Sequence, residues 1–142
     1  MKNFITIFLI LTSGNLIAQN SESTSSETIY TFVDQPPEFK GGIDALYSYL
    51  SKHINYPDEA IKNCIEGTIY MQFIVEKDGS LNDIIIKKGI GYGCDEEAQR
   101  VISNMPKWKP GKSGDKKVRV YLALPIKFEI KDECTPAPEN NK

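Results

Sequence analysis

At 142 residues and 40% hydrophobic, the chain has room for one small globular domain with tails. Its 17 Lys and Arg nearly balance 19 Asp and Glu, so the charge announces neither a nucleic acid nor any other strongly charged partner. Three cysteines and one histidine lie too far apart for the usual zinc spacings, and no cofactor or metal is expected.

Lys2 is followed by an apolar run from Phe4 to Leu11, then by Thr12 to Asn15 and Leu16-Ile17-Ala18. This reads as a secretory signal peptide over residues 1–18, because the run falls well short of the roughly 20 residues that a membrane span requires. No Cys follows it directly, so a lipid anchor is not expected. Residues 19–35 read as a flexible leader. Gln19 to Thr28 is almost all Ser, Thr, Glu and Asn and can bury nothing, whereas Ile29, Tyr30, Phe32 and Val33 suit a short strand or a clip on the surface. A folded domain is expected over 36–131, and a disordered Pro, Glu and Asn-rich tail over 132–142.

Pro36-Pro37 stiffens the start of the domain, and Gly41-Gly42 opens a helix. Ile43, Leu46, Tyr47, Leu50 and Ile54 follow its period and predict a stripe facing the core. Tyr56-Pro57 ends this helix, and Asp58 to Ile65 makes a second short helical piece. From Gly67, Ile69, Met71, Phe73 and Val75 alternate with more polar residues, and Ile84-Ile85-Ile86 follows Asp78-Gly79. Asp-Gly between such runs signals a hairpin. A two-residue loop would set Phe73 opposite Ile84 and Met71 opposite Ile86, all on one apolar face.

Gly89, Gly91 and Gly93 space a loop that lacks the spacing and the strand-helix repeat of a phosphate-binding turn. Asp95 is expected to cap a further helix, with Ala98, Val101, Ile102 and Met105 buried and Pro106 ending it. From Val118 to Ile130 every even position is apolar, which predicts one long half-buried strand. Pro125 has no N–H to give, so this strand is expected at a sheet edge or bulged at that point. The eleven or so residues of the preceding helix return the chain by roughly 16 Å. That places the long strand beside the first strand of the hairpin, in the order second, first, long.

Taken together, "PPEFKGGIDALYSYL", the "NYP" at 55–57, "EGTIYMQFIVEKDGSLNDIIIKKGIGYGCDEEAQRVISNMPKWKPG" and "VRVYLALPIKFEI" resemble a TonB C-terminal domain, in the style of stand-alone or receptor-associated versions from Bacteroidetes-type bacteria. The resemblance covers roughly Pro36 to Ile130. It implies an α+β fold of two helices packed on a three-stranded antiparallel sheet. It further implies binding of the short "box" peptide of outer-membrane TonB-dependent transporters by strand addition to the last strand. The family's contact segment around Tyr-Pro corresponds to Ile54, Asn55, Tyr56 and Pro57. Along the last strand Arg119, Tyr121 and Ala123 point away from the core, which makes them candidate contacts. Force-transmitting members of the family carry an uncleaved anchor and a long proline-rich stalk. The sequence shows neither, so a periplasmic binding module is expected, the alternative being an envelope domain whose edge strand serves self-association as a homodimer.

Catalysis finds little support. His53 has no acidic partner to orient it as a base, and Cys94, at a helix N-terminus where a thiolate is stabilised, has no base beside it. The basic run of Lys107, Lys109, Lys112, Lys116, Lys117 and Arg119 reads as a solvated loop with Trp108 packed on the sheet. Extending the two-residue hairpin register puts Gly93 opposite Cys64. Export to an oxidising compartment then predicts a Cys64–Cys94 disulfide, with two buried thiols as the alternative and Cys134 left over in the tail.

Overall fold

The computed structural model describes residues 27–135, so the expected signal peptide, most of the leader and the end of the tail lie outside the described residues. The element order is β1 (Ile29–Tyr30), α1 (Gly42–His53), α2 (Asp58–Lys62), β2 (Gly67–Val75), β3 (Leu81–Lys88), α3 (Cys94–Ser103), β4 (Lys112–Ser113), β5 (Lys116–Lys117) and β6 (Arg119–Phe128). The class is α+β as the sequence reading has it, but with a short third helix and a fourth strand, β1, which runs parallel to β6 and extends the expected three-stranded antiparallel sheet. The main sheet runs β1-β6-β2-β3, while β4 and β5 form a small hairpin of their own.

β6 and β2 pair antiparallel without a break from Gly67 opposite Phe128 to Val75 opposite Val120. Strict alternation makes this possible. Ile69, Met71, Phe73 and Val75 meet Ile126, Leu124 and Phe128 in one core, which Leu46, Leu50, Ala60, Ala98, Val101 and Ile102 cover from the helices. Trp108 is 5% exposed and closes one end of that core. Its ring meets Phe39 and Phe73 edge-on, with centroids 5.5 and 5.6 Å away.

The turn between β2 and β3 is one residue longer than expected. The Glu76 N–H donates to the Ser80 carbonyl, leaving Lys77-Asp78-Gly79 as a three-residue loop with Gly79 at φ 86°. A side chain at position 79 would collide with the Trp108 carbonyl, 2.0 Å from an ideal Cβ, so both space and conformation require glycine. The longer loop sets Val75 opposite Leu81, one place off the two-residue register. An irregularity between Gln72 and Ile74, with Asp83 at φ 49°, absorbs the difference and leaves Met71 opposite Ile86 after all. Phe73 falls at this irregularity and has no ladder partner on β3.

The expected cap and bridge are both corrected. Gly93, at φ 81°, precedes α3 in place of Asp95. The Asp95 carboxylate turns back to accept from the N–H groups of Ile90 and Gly91 at 2.8 and 3.2 Å, and so fills the glycine loop. Cys64 is bonded to Cys134, with Cα atoms 5.6 Å apart, and Cys94 is free. The β2–β3 ladder ends at Tyr70 opposite Lys88, so it never extends to residues 64 and 93. Cys94 instead enters the core beneath α3 and is fully buried. The first residues of the expected tail are therefore tethered to the turn after α2.

Candidate binding edge

β6 has β2 on one side, and on the other only the two-residue β1, parallel and opposite Arg119 and Val120. From Tyr121 to Phe128 no described strand covers that side. The direction of its backbone groups follows from Pro125, which lies opposite Tyr70 within the unbroken ladder. A proline fits there only where the missing N–H would point away from β2. In an extended strand each residue turns its N–H and C=O to one side and the next residue to the other. Arg119, Tyr121, Ala123, Pro125 and Lys127 therefore present their backbone groups outward.

Helix α1 builds the wall beside this edge. Ile43 and Tyr47, expected in the core stripe, are 58% and 56% exposed. The stripe is wider than the sheet beneath it, so Leu46 and Leu50 bury while Ile43 and Tyr47 overhang the margin. Between them and β6 lies a groove of about 450 Å³, whose lining includes Pro37, Ile43, Tyr47, Leu122, Ala123 and Pro125. A second hollow of about 370 Å³ shares Tyr47 and Pro125 and continues past Ile54, Tyr56 and Lys127 to Lys131.

The Tyr-Pro segment is fixed from several sides. The Tyr56 hydroxyl donates to the Ile65 carbonyl at 2.6 Å, and its ring meets Phe128 edge-on at 5.4 Å. Burial raises the Tyr56 pKa, as do the neighbouring Cys94 and Glu66. The Asn55 N–H donates to Glu97 Oε1 at 2.7 Å, and Arg100 donates both to Glu97 and to the His53 carbonyl. The Arg100 hydrogen bonds hold the Glu97 carboxylate below its ordinary pKa. Glu97 and Arg100 thus fasten the 53–55 backbone to α3. The sequence reading places Glu97 only at the positive end of its helix and gives neither residue this role, although their i, i+3 spacing permits the pair.

Of the expected contact residues, the structure brings Ile54, Tyr56 and Ala123 to the groove. Asn55 and Pro57 do not line it: Asn55 is tied to Glu97 through its backbone, and Pro57 precedes α2. Arg119 sits elsewhere. Its guanidinium donates to both Glu76 oxygens at 2.7 and 2.8 Å, and that pairing lowers the Glu76 pKa. Tyr121 lies opposite Ile74, half-buried on the face away from the helices.

The remaining reactive candidates are engaged in structure. Burial, with Asp95 and Glu96 nearby, raises the Cys94 thiol pKa, the reverse of what an attacking thiolate needs. The exposed His53 stacks on Tyr49 and contacts the Tyr49 carbonyl through Nδ1. In the basic run, Lys107 and Lys109 pair with Asp78 and Glu38. Among the described residues no cluster of His, Cys, Asp or Glu could hold a metal ion, and no helix is long and apolar enough to cross a membrane.

The class defined by this geometry is a small α+β domain with one sheet edge left accessible beside an apolar groove. The chain belongs to the family of Gram-negative bacterial TonB protein C-terminal domains, whose model matches residues 52–130, more than half of the chain. The family takes part in TonB-dependent transport and works in the cell envelope. Two solution structures of the Helicobacter pylori TonB C-terminal domain are similar. One is 26% identical with a TM-score of 0.46, covering 62% of this chain and 79% of that one. The other is 23% identical with a TM-score of 0.47, covering 63% and 95%. No protein of curated function matches the chain.

Proposed function

We propose that this protein is a periplasmic binding module that docks a short, extended segment of an outer-membrane TonB-dependent transporter by strand addition to β6. The observation that carries the proposal is the outward row of backbone groups on β6, beside a groove walled by Ile43 and Tyr47. Main-chain pairing supplies affinity in this mode, and pockets for alternate side chains supply choice. Tyr56 and Ile54 extend the groove, and Glu97 with Arg100 keeps their loop in place. Delivery to the periplasm rests on the signal-peptide reading of residues 1–18 and on family membership.

The test is calorimetric titration of the exported chain with synthetic peptides copying the periplasm-facing N-terminal segments of the same bacterium's outer-membrane transporters. Saturable one-to-one binding, lost when the peptide order is scrambled, is the expected result. Heats that do not saturate for any of these peptides, together with a concentration-dependent dimer in sedimentation, would instead favour self-association through the same edge.

A further inference from the structure

The leader does more than hang from the domain. Its end and the start of the domain meet the segment that precedes and begins β6 at Glu38, Gln35 and Asp34 and again at Tyr30 and Ile29, while Phe32 between them stands exposed. Glu38 and Gln35 exchange backbone hydrogen bonds with Lys109 and Lys112, and the Gly114 N–H donates to Asp34 at 2.7 Å. Beyond these ties the chain ends its run as β1, parallel to β6. A parallel strand opposite Val120 takes up the outward groups of the flanking residues, Arg119 and Tyr121.

These are the groups an incoming strand would want. Outward N–H donors on β6 belong to Arg119, Tyr121, Ala123 and Lys127, with Pro125 missing from the row. With β1 seated, Ala123 and Lys127 alone keep free donors, and the proline separates them. With β1 gone, Arg119, Tyr121 and Ala123 offer three successive rungs. β1 is also lightly held. It has two residues, both only partly buried, and its flanking Glu27–Lys77 ion pair is about half exposed on each side, a setting in which such pairs contribute little. The ties at Asp34, Gln35 and Glu38 lie outside β1, so it can leave while the rest of the leader stays docked.

We propose that β1 is a resident competitor for the β6 edge, which an incoming extended peptide displaces in order to pair with Arg119, Tyr121 and Ala123. This rests on the strand-addition reading above. It also gives the leader a function, since a strand that blunts an exposed edge protects it from unwanted pairing until a better strand arrives.

The experiment compares the full exported chain with Tyr30→Pro, which removes the N–H that reaches the Arg119 carbonyl, and with Glu27→Lys, which breaks only the ion pair. Thermal unfolding of each variant checks that the fold persists. In the free proteins, amide hydrogen exchange at Arg119 and Tyr121 should be faster in Tyr30→Pro than in the parent. The transporter-segment peptides should then bind Tyr30→Pro more tightly by roughly 5-fold or more, the lower end of ordinary coupling between two sites, with Glu27→Lys in between. Equal affinity for parent and variant, or weaker binding to Tyr30→Pro, would overturn the competitor while leaving strand addition standing. Unchanged exchange at Tyr121 would overturn it as well. Absence of binding to any of the three chains would remove strand addition and the competitor together.

Discussion

The two uncovered margins of the main sheet, β3 and the stretch of β6 beyond the two-residue β1, are built in opposite ways. β3 slips register twice against β2, carries Asp83 in the left-handed region, and exposes Asn82, Asp83, Lys87 and Lys88. β6 holds one unbroken register over nine pairs and is backed by apolar side chains from α1. Bulges and charges spoil an edge as a template for another strand, and their absence keeps it usable. On β6 the only interruptions are Pro125 and the removable β1. The contrast teaches that the domain protects one edge permanently and the other conditionally.

The contrast is broken most directly by taking a further N–H from the open edge. Ala123→Pro should abolish binding of the transporter-segment peptides in titration while the thermal midpoint stays close to that of the parent. Ile85→Lys, on β3, should leave affinity unchanged. A matching loss from both substitutions would erase the distinction between the edges.

A smaller effect concerns stability. The Cys64–Cys134 bridge closes a loop of 70 residues at the end of the domain away from β1. Replacing both cysteines by serine should cost about 2–4 kcal/mol in denaturant unfolding, a large share of a small domain's stability. The mutant should still bind peptide at 25 °C, because its β6 edge is intact. Smaller again is the wall of the groove. Tyr47→Ala should weaken peptide binding about tenfold, roughly 1.4 kcal/mol. It should change unfolding by no more than about 0.5 kcal/mol, since Tyr47 is already more than half exposed.

The smallest effect is one of pH. Glu76 and Glu97 are held below their ordinary pKa chiefly by hydrogen bonds from Arg119 and Arg100. The unfolded chain therefore binds protons that the folded one refuses. Stability from these pairs is fully present above the usual carboxylate range, from about pH 5 upward, and declines as pH falls through the depressed values. Glu97→Gln should flatten the acid side of a plot of unfolding midpoint against pH. An unaltered slope would separate Glu97 from the support of the Tyr-Pro loop.

Much of this architecture was legible in residue order. The parity of Val118 to Ile130 locates β6 and names most of its buried residues, with Leu122 and Ile130 only partly covered, and Pro125 points to an edge, which β6 presents only from Tyr121 onward because β1 covers Arg119 and Val120. The Met71–Ile86 pairing also held, although two departures cancel to produce it: a longer turn, demanded by the close approach of Gly79 to Trp108, and the irregularity at Asp83. Such compensation leaves no trace in local pattern. The Cys64–Cys94 pairing fails for a different reason: the ladder ends at Tyr70 and Lys88, and a register extrapolated past that end ignores where the backbone turns. Periodicity placed Ile43 and Tyr47 on the correct helix face but could not tell that the sheet below stops short of them. That shortfall creates the groove. The residues of β1 read as part of a short strand or a clip, yet its place on the β6 edge depends on the docking of residues 34–38 along residues 109–114, which no two-residue motif encodes.

The central claim is that β6 accepts a partner strand and β3 does not. Residue-resolved amide hydrogen exchange of the protein, with and without a saturating transporter-segment peptide, measures this edge by edge. The account predicts new protection at Ala123 and Lys127, loss of contact at Ile29 and Tyr30, and no change from Leu81 to Lys88. Protection confined to β3, or to the helix-free face around Tyr70 and Ile85, would contradict it.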